Sequence, residues 1–445
     1  MKTSASIAPW LLGATAVTAL AGYLTYCFNN QDGYAVVFLP GPTTHGHYQI
    51  EMKCASCHEP WGGVREQSCI DCHGNALKAA DDSHPMAKFS DPRNADRLLT
   101  LSADQCVTCH IEHKPENTLA MGVTQPQDYC YHCHSDVAKE RPSHQGMSFT
   151  TCQNIGCHNY HDNTALYEDF LVKHASEPKV LPTALIPQRV PQKPSKATLP
   201  LTAEQQDGPN AGITNNSSKI IADWVSSAHA AAAVNCSDCH GKAELWANQP
   251  PQDACNQCHK DETTGFLEGL HGMRIAQGLP PMQPELARLP MKPEAAHLTL
   301  TCNSCHSPHD SNTRQAAVES CLQCHNDSHS LAYKESTHYK LWLAELSGSA
   351  SAGTGVSCAT CHMPRETHTT GGVTTVLVQH NQSLNLRPTE KMVRSVCSNC
   401  HGLGFTLDSL ADPELGRRNF DGPPEHHNES IEMVLRRRTP PVKAK

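Results

Sequence analysis

The stretch Cys302-Asn303-Ser304-Cys305-His306 sets two cysteines three positions apart, with a histidine directly after the second. The same arrangement recurs at Cys54/Cys57/His58, Cys69/Cys72/His73, Cys106/Cys109/His110, Cys130/Cys133/His134, Cys236/Cys239/His240, Cys255/Cys258/His259, Cys321/Cys324/His325, Cys358/Cys361/His362 and Cys397/Cys400/His401. Every Cys-x-x-Cys pair of the chain carries that histidine although only 29 of 445 residues are His, so coincidence does not account for it. A zinc site or a thiol redox motif needs no histidine at this position, whereas covalent attachment of haem c does. Two thioether bonds fix the macrocycle, and the adjoining imidazole becomes the proximal ligand of the iron.

An eleventh site reads Cys152-Gln153-Asn154-Ile155-Gly156-Cys157-His158, with two extra residues in a looser loop that still offers both sulfurs to the porphyrin. The competing reading is a disulfide or a zinc half-site beside His158 and His161. Eleven pairs use 22 of the 23 cysteines and leave Cys27, which follows Leu24-Thr25-Tyr26 and reads as a plain thiol in an apolar stretch. Haem also explains the composition. With 5% aromatic and 38% hydrophobic residues, the side chains are too sparse for cores of this size, and flat apolar macrocycles packed on one another supply the missing interior. The expected fold is mainly α and irregular, a multihaem cytochrome c fold with little regular secondary structure, carrying eleven haem c groups.

Once the eleven proximal histidines are set aside, the remaining ones suffice to give each iron a second imidazole. That surplus points to bis-His, coordinatively saturated irons suited to electron transfer. By their placement around the motifs, the expected distal ligands are His84, His113, His144, His161, His229, His271, His297, His309, His338 and His380, with His45 or His47 serving one haem of the first half. His113, His161 and His309 follow their motifs by three residues. His132 lies inside a motif, and His426 and His427 lie in a polar tail; none of the three is expected to bind iron.

Residues 10 to 28 carry no charge, Lys2 precedes them and no Lys or Arg follows until Lys53. This predicts an N-terminal transmembrane helix with its start in the cytoplasm. The alternative is a cleaved secretory signal with Ala19-Leu20-Ala21 ahead of Gly22. Either way the haem-bearing part is exported to the periplasm. The expected organisation is an anchor or signal at 1–29, a pentahaem domain at 30–175, a Pro-rich linker at 176–218, a hexahaem domain at 219–425 and a basic disordered tail at 426–445. The formal charge of −9 argues against a nucleic-acid partner.

The closely spaced motifs of residues 45–174, with Cys-x-x-Cys-His-x-x-His at Cys106 to His113, resemble the class III multihaem cytochromes. The second half is similar to the superfamily of hydroxylamine oxidoreductase, octahaem tetrathionate reductase and pentahaem nitrite reductase, through Cys302 to His309, Cys321 to His325, Ser336-Thr337-His338-Tyr339 and Cys358 to Pro364. The resemblance implies that superfamily's fold and haem stacking for residues 224–425. The lysine-ending motif of the nitrite reductases is absent. The hydroxylamine oxidoreductases cross-link a tyrosine to a special haem; Tyr333 and Tyr339 are available here, but read as packing residues. Two functions follow. The first is an electron conductor between a quinol-oxidising donor in the inner membrane and periplasmic or outer-membrane acceptors. The second is a reductase or oxidase of small nitrogen or sulfur compounds at one open haem, lined by Arg365, Tyr339 or His368. Pyridine haemochrome analysis should return eleven haems per chain, and replacing Cys152 and Cys157 by serine should return ten; ten in the unaltered protein would give those two cysteines another role.

Overall fold

The computed structural model describes residues 8–29, 39–59, 62–81, 84, 89, 92, 95–118, 122–126, 128–140, 144–145, 160–162, 166, 168–184, 186–188, 199–209, 215–386 and 391–438. They are mainly helical with little sheet, as the sequence predicts. The chain forms two compact units, residues 1–74 with 92–125, and residues 75–91 with 126–445.

The first unit begins with helix α1, Ala8–Asn29. Its 22 residues reach about 33 Å at the helical rise, and Trp10, Leu11, Leu12 and Val17 stand exposed on it. Among the described residues no helix is long and apolar enough to cross a membrane. Gly13, Gly22, Tyr23 and Tyr26 dilute the apolar run. So do Thr15, Thr18 and Thr25, whose hydroxyls turn back onto the carbonyls of Leu11, Ala14 and Ala21 at 2.8 to 2.9 Å. Beyond α1, strands β1 (His58–Glu59) and β2 (Gly63–Val64) pair antiparallel, and helix α2 (Glu66–Ala79) follows. Among the described residues, those buried in this unit are Thr43, Thr44, Gln49 and Ile50. So polar an interior cannot hold a unit together by apolar burial.

The second unit has two side-chain clusters. In the first, Leu166 and Leu171, the latter on α3 (Glu168–His174), pack with Val393, with Leu403 and Leu407 of α4 (Leu403–Leu410), and with Ile431 and Val434 of α5 (Ser430–Arg438). The Arg394 guanidinium lies 4.0 Å over the Phe170 ring at its edge, a cation–π contact. In the second cluster Val318, Leu322 and Tyr333 meet Tyr339, Trp342 and Cys358. Helix α5, of 9 residues, lies within the stretch expected as a disordered tail, because Ile431 and Val434, three apart and so on one helical face, are buried in the cluster with α3 and α4. Residues 177–181, at the start of the expected linker, also pack: the Leu181 amide donates to the Cys400 carbonyl at 2.8 Å, and Val180 bridges His401. Strands β3 (Arg365–Thr370) and β4 (Val373–Val378) form a hairpin in register from Arg365↔Val378 to Thr370↔Val373. Gly371 and Gly372 close it with φ of 59° and 79°, the positive values a two-residue turn demands.

Leu171 is fully buried, and truncation of such a side chain costs about 2 to 5 kcal/mol through lost transfer energy and the cavity left behind. Leu171→Ala should therefore lower the thermal unfolding midpoint in calorimetry. The same change at exposed Leu199 should leave it in place.

Candidate haem sites

Most described cysteine pairs sit on a short helical turn, as at Cys54–Ser56, Cys106–Cys109, Cys236–His240, Cys302–Cys305, Cys358–His362 and Cys397–Asn399, while Cys69 and Cys72 lie within the longer α2. One turn places residues i and i+3 side by side, so both thiols face the same way. Local sequence closes several of these turns. Asn235, Thr301 and Ser357 cap the turn from the position before the first cysteine, and Asp238, Ser304 and Thr360 reach back from the position before the second. These are reciprocal capping boxes.

None of the twenty described motif cysteines is in a disulfide. In the motifs of Cys133 and Cys258 the amide of the second cysteine donates to the carbonyl of the first, Cys130 or Cys255, at 3.2 Å, which closes the turn.

Nine of the ten described motif histidines face a second histidine. The ring centroids are 6.4 Å apart for His58 and His113, 5.8 Å for His73 and His47, and 6.0 Å for His134 and His84. They are 6.1 Å apart for His240 and His309, 6.2 Å for His259 and His229, and 6.2 Å for His306 and His380. They are 6.3 Å apart for His325 and His271, 5.9 Å for His362 and His329, and 6.2 Å for His401 and His338. An imidazole nitrogen sits about 2 Å from a bound metal and about 1.2 Å from its own ring centre, so two rings trans on one iron have centroids about 6 Å apart. The nine separations match that distance.

The outer nitrogens fix which ring atom faces inward. Nδ1 of His84 donates to the Tyr160 carbonyl at 2.6 Å, His113 to Gly41 at 2.7 Å, His229 to Pro308 at 3.2 Å, His329 to Gly416 at 2.6 Å and His380 to Val378 at 2.8 Å. Among the proximal rings, His110 donates to Gly122 at 3.1 Å, His240 to Ala247 at 2.6 Å and His401 to Lys179 at 3.1 Å. A ring whose Nδ1 carries the proton presents the Nε2 lone pair to a metal. Burial, reinforced by neighbouring His325, lowers the His271 pKa to about 4. Burial and nearby His329 lower His362 equally, so both rings are neutral, the form that binds metal.

His329 lies outside the distal set expected from the sequence. It follows His325 by four residues on the helix Ser328–Ala332, and an offset of three was the one sought. His297, which was in that set, is 82% exposed and sits 3.0 Å from the Glu285 carboxylate, apart from the nine pairs. His47 fills the first-half position left open between it and His45, whose ring lies 5.8 Å from Tyr48. His161 packs edge-on against Tyr160 at 4.9 Å, and His144 is half-buried; neither is among the nine pairs. Cys152, Cys157 and His158 lie outside the described residues. Neighbouring sites adjoin through their cysteines. The sulfurs of Cys69 and Cys106, Cys255 and Cys302, and Cys321 and Cys358 lie close to one another. Cys57 lies near Cys69, Cys239 near Cys255 and Cys258, Cys305 near Cys321, and Cys361 near Cys397. From Cys236 to Cys400 the sites therefore adjoin in chain order.

The side chains named for a catalytic pocket are otherwise engaged. Arg365 donates to the Pro187 carbonyl at 3.3 Å, His368 lies 3.4 Å from Glu366, and the Tyr339 ring packs edge-on against Tyr333 at 5.2 Å.

The cytochrome c3 family model matches residues 46–135, a span holding four of the cysteine motifs. No curated protein and no solved structure matches the chain. The N-terminal region is a multihaem c-type cytochrome, binding haem c covalently through these motifs.

Gly41 abuts one of these sites: a Cβ added there would lie 2.9 Å from the His113 backbone oxygen. His113 has little freedom to yield, since it already holds φ of 62°, uncommon for a residue with a side chain. Gly41→Ala should displace His113 and produce a single high-spin haem in the electron paramagnetic resonance spectrum of the oxidised protein.

Proposed function

We propose that this chain is an undecahaem c-type cytochrome that conducts electrons through bis-His haems, from a quinol-oxidising donor at the inner membrane to periplasmic or outer-membrane acceptors. The observation that carries this reading is the set of nine histidine pairs at the spacing of two axial ligands. Each bound haem supplies a one-electron couple at its iron. At these nine sites the paired histidines would hold the iron from both sides and would leave a substrate no coordination site. Its distal set is His47, His84, His113, His229, His271, His309, His329, His338 and His380. The adjoining of sites in chain order suits relay along residues 236–401.

For residues 224–425 we carry over from the hydroxylamine oxidoreductase superfamily only its manner of stacking haem sites. Residues 1–29 act as an export signal cut after Ala21, which takes the chain to the periplasm, where haem c is attached. N-terminal sequencing of the purified protein should begin at Gly22; retention of Met1 would sink that assignment.

The conductor reading predicts that all irons of the oxidised protein are low-spin, and that reduced-dye assays with nitrite, hydroxylamine or tetrathionate show no turnover. His329→Ala should convert one haem to high-spin, while His297→Ala should leave the spectrum unchanged. A stoichiometric high-spin signal in the unaltered protein would overturn the reading.

A further inference from the structure

Within residues 106–113 one short segment serves three sites: His110 is a proximal ligand, His113 faces His58, and Glu112 between them turns to a third. The Glu112 carboxylate accepts from His47 Nδ1 at 2.7 Å, and His47 faces His73 at 5.8 Å. Its position is built rather than incidental. The Thr44 amide donates to Oε2 at 2.7 Å and the Thr44 hydroxyl to Oε1 at 2.9 Å, and Thr44 itself is buried. The left-handed backbone of His113, at φ 62°, sends consecutive side chains to different sites.

The neighbouring site differs in one respect. There His113 donates to the neutral carbonyl of Gly41 at 2.7 Å, and four further distal rings likewise donate to carbonyls. A carboxylate on the outer nitrogen pulls the Nδ1 proton harder than a carbonyl does, which makes the ring a more basic ligand. A more basic ligand favours ferric over ferrous iron. The fixed negative charge beside a half-buried ring acts in the same direction.

We propose that Glu112 is a redox-positioning residue which, through His47, sets the reduction potential of the haem at Cys69, Cys72 and His73 below that of the haem at Cys54, Cys57 and His58. The inference rests on His47 and His73 being the axial pair of the proposed conductor. The step it governs is addition of one electron to one iron, with no bond made or broken. An electron passing through the first unit therefore meets an uphill site beside a downhill one.

The test is a potentiometric titration of the full-length holoprotein, followed by electron paramagnetic resonance, for the unaltered chain and for Glu112→Gln. Glutamine keeps an acceptor for His47 Nδ1 and removes only the charge. One low-spin signal should change its g values and titrate at higher potential, with the other signals and the haem count unmoved. Thr44→Val, which leaves the carboxylate but loosens it, should shift the same signal by less, and it decides the matter if Glu112→Gln fails to load haem. An unchanged titration in a variant whose haems are all present and low-spin would overturn the proposal. The ligand assignment beneath it is separated by His47→Gly: a new high-spin haem upholds the axial pair, and an unaltered spectrum removes both the pair and the role of Glu112.

Discussion

The structure depends on two imidazoles facing one another across about 6 Å, the gap that an iron with two trans nitrogen ligands fills. Elsewhere in protein architecture, distant chain segments are held by apolar burial or disulfides. Here no described motif cysteine is in a disulfide, and the described buried residues of the first unit are mostly polar. On the proposed reading, metal bridges between histidines such as His306 and His380, or His58 and His113, would draw together residues far apart in sequence, and the macrocycles between them would take the place of a side-chain core.

Local sequence prepares these bridges. A capping residue ahead of the first cysteine and its partner ahead of the second wind the turn that aims both sulfurs, as at Ser357 and Thr360. A backbone carbonyl on Nδ1 then sets each ring's tautomer and aim. Gly41 and Gly122, the acceptors for His113 and His110, show how far the second shell lies from its motif in the chain.

The cysteine motifs were legible in the sequence because they are local: two cysteines, a histidine and their spacing all fall within five residues. Which histidine faces each motif was legible only in part, because that pairing is tertiary. His113 and His309 were found by their offset of three, but His329 stands one residue beyond that offset, on a helix whose cap, Asp327, is not a haem signal. His297 had a plausible place in the sequence and an exposed one in the fold. Glu112 was invisible, since nothing marks a glutamate as a partner of His47 until Thr44 and the loop around it are folded. The apolar N-terminal run was correctly read as a helix, but its threonines and glycines weaken it below a membrane span.

The interlocking of ligands across the chain bears on how such a protein is made. His240 and His306 precede their partners His309 and His380, whereas His325 follows His271. Sites of the first kind can close only after a later stretch of chain has arrived, and those of the second kind as soon as their own motif is present. The order in which sites become able to close therefore differs from the order of the motifs, and each late partner adds a loop whose closure costs entropy.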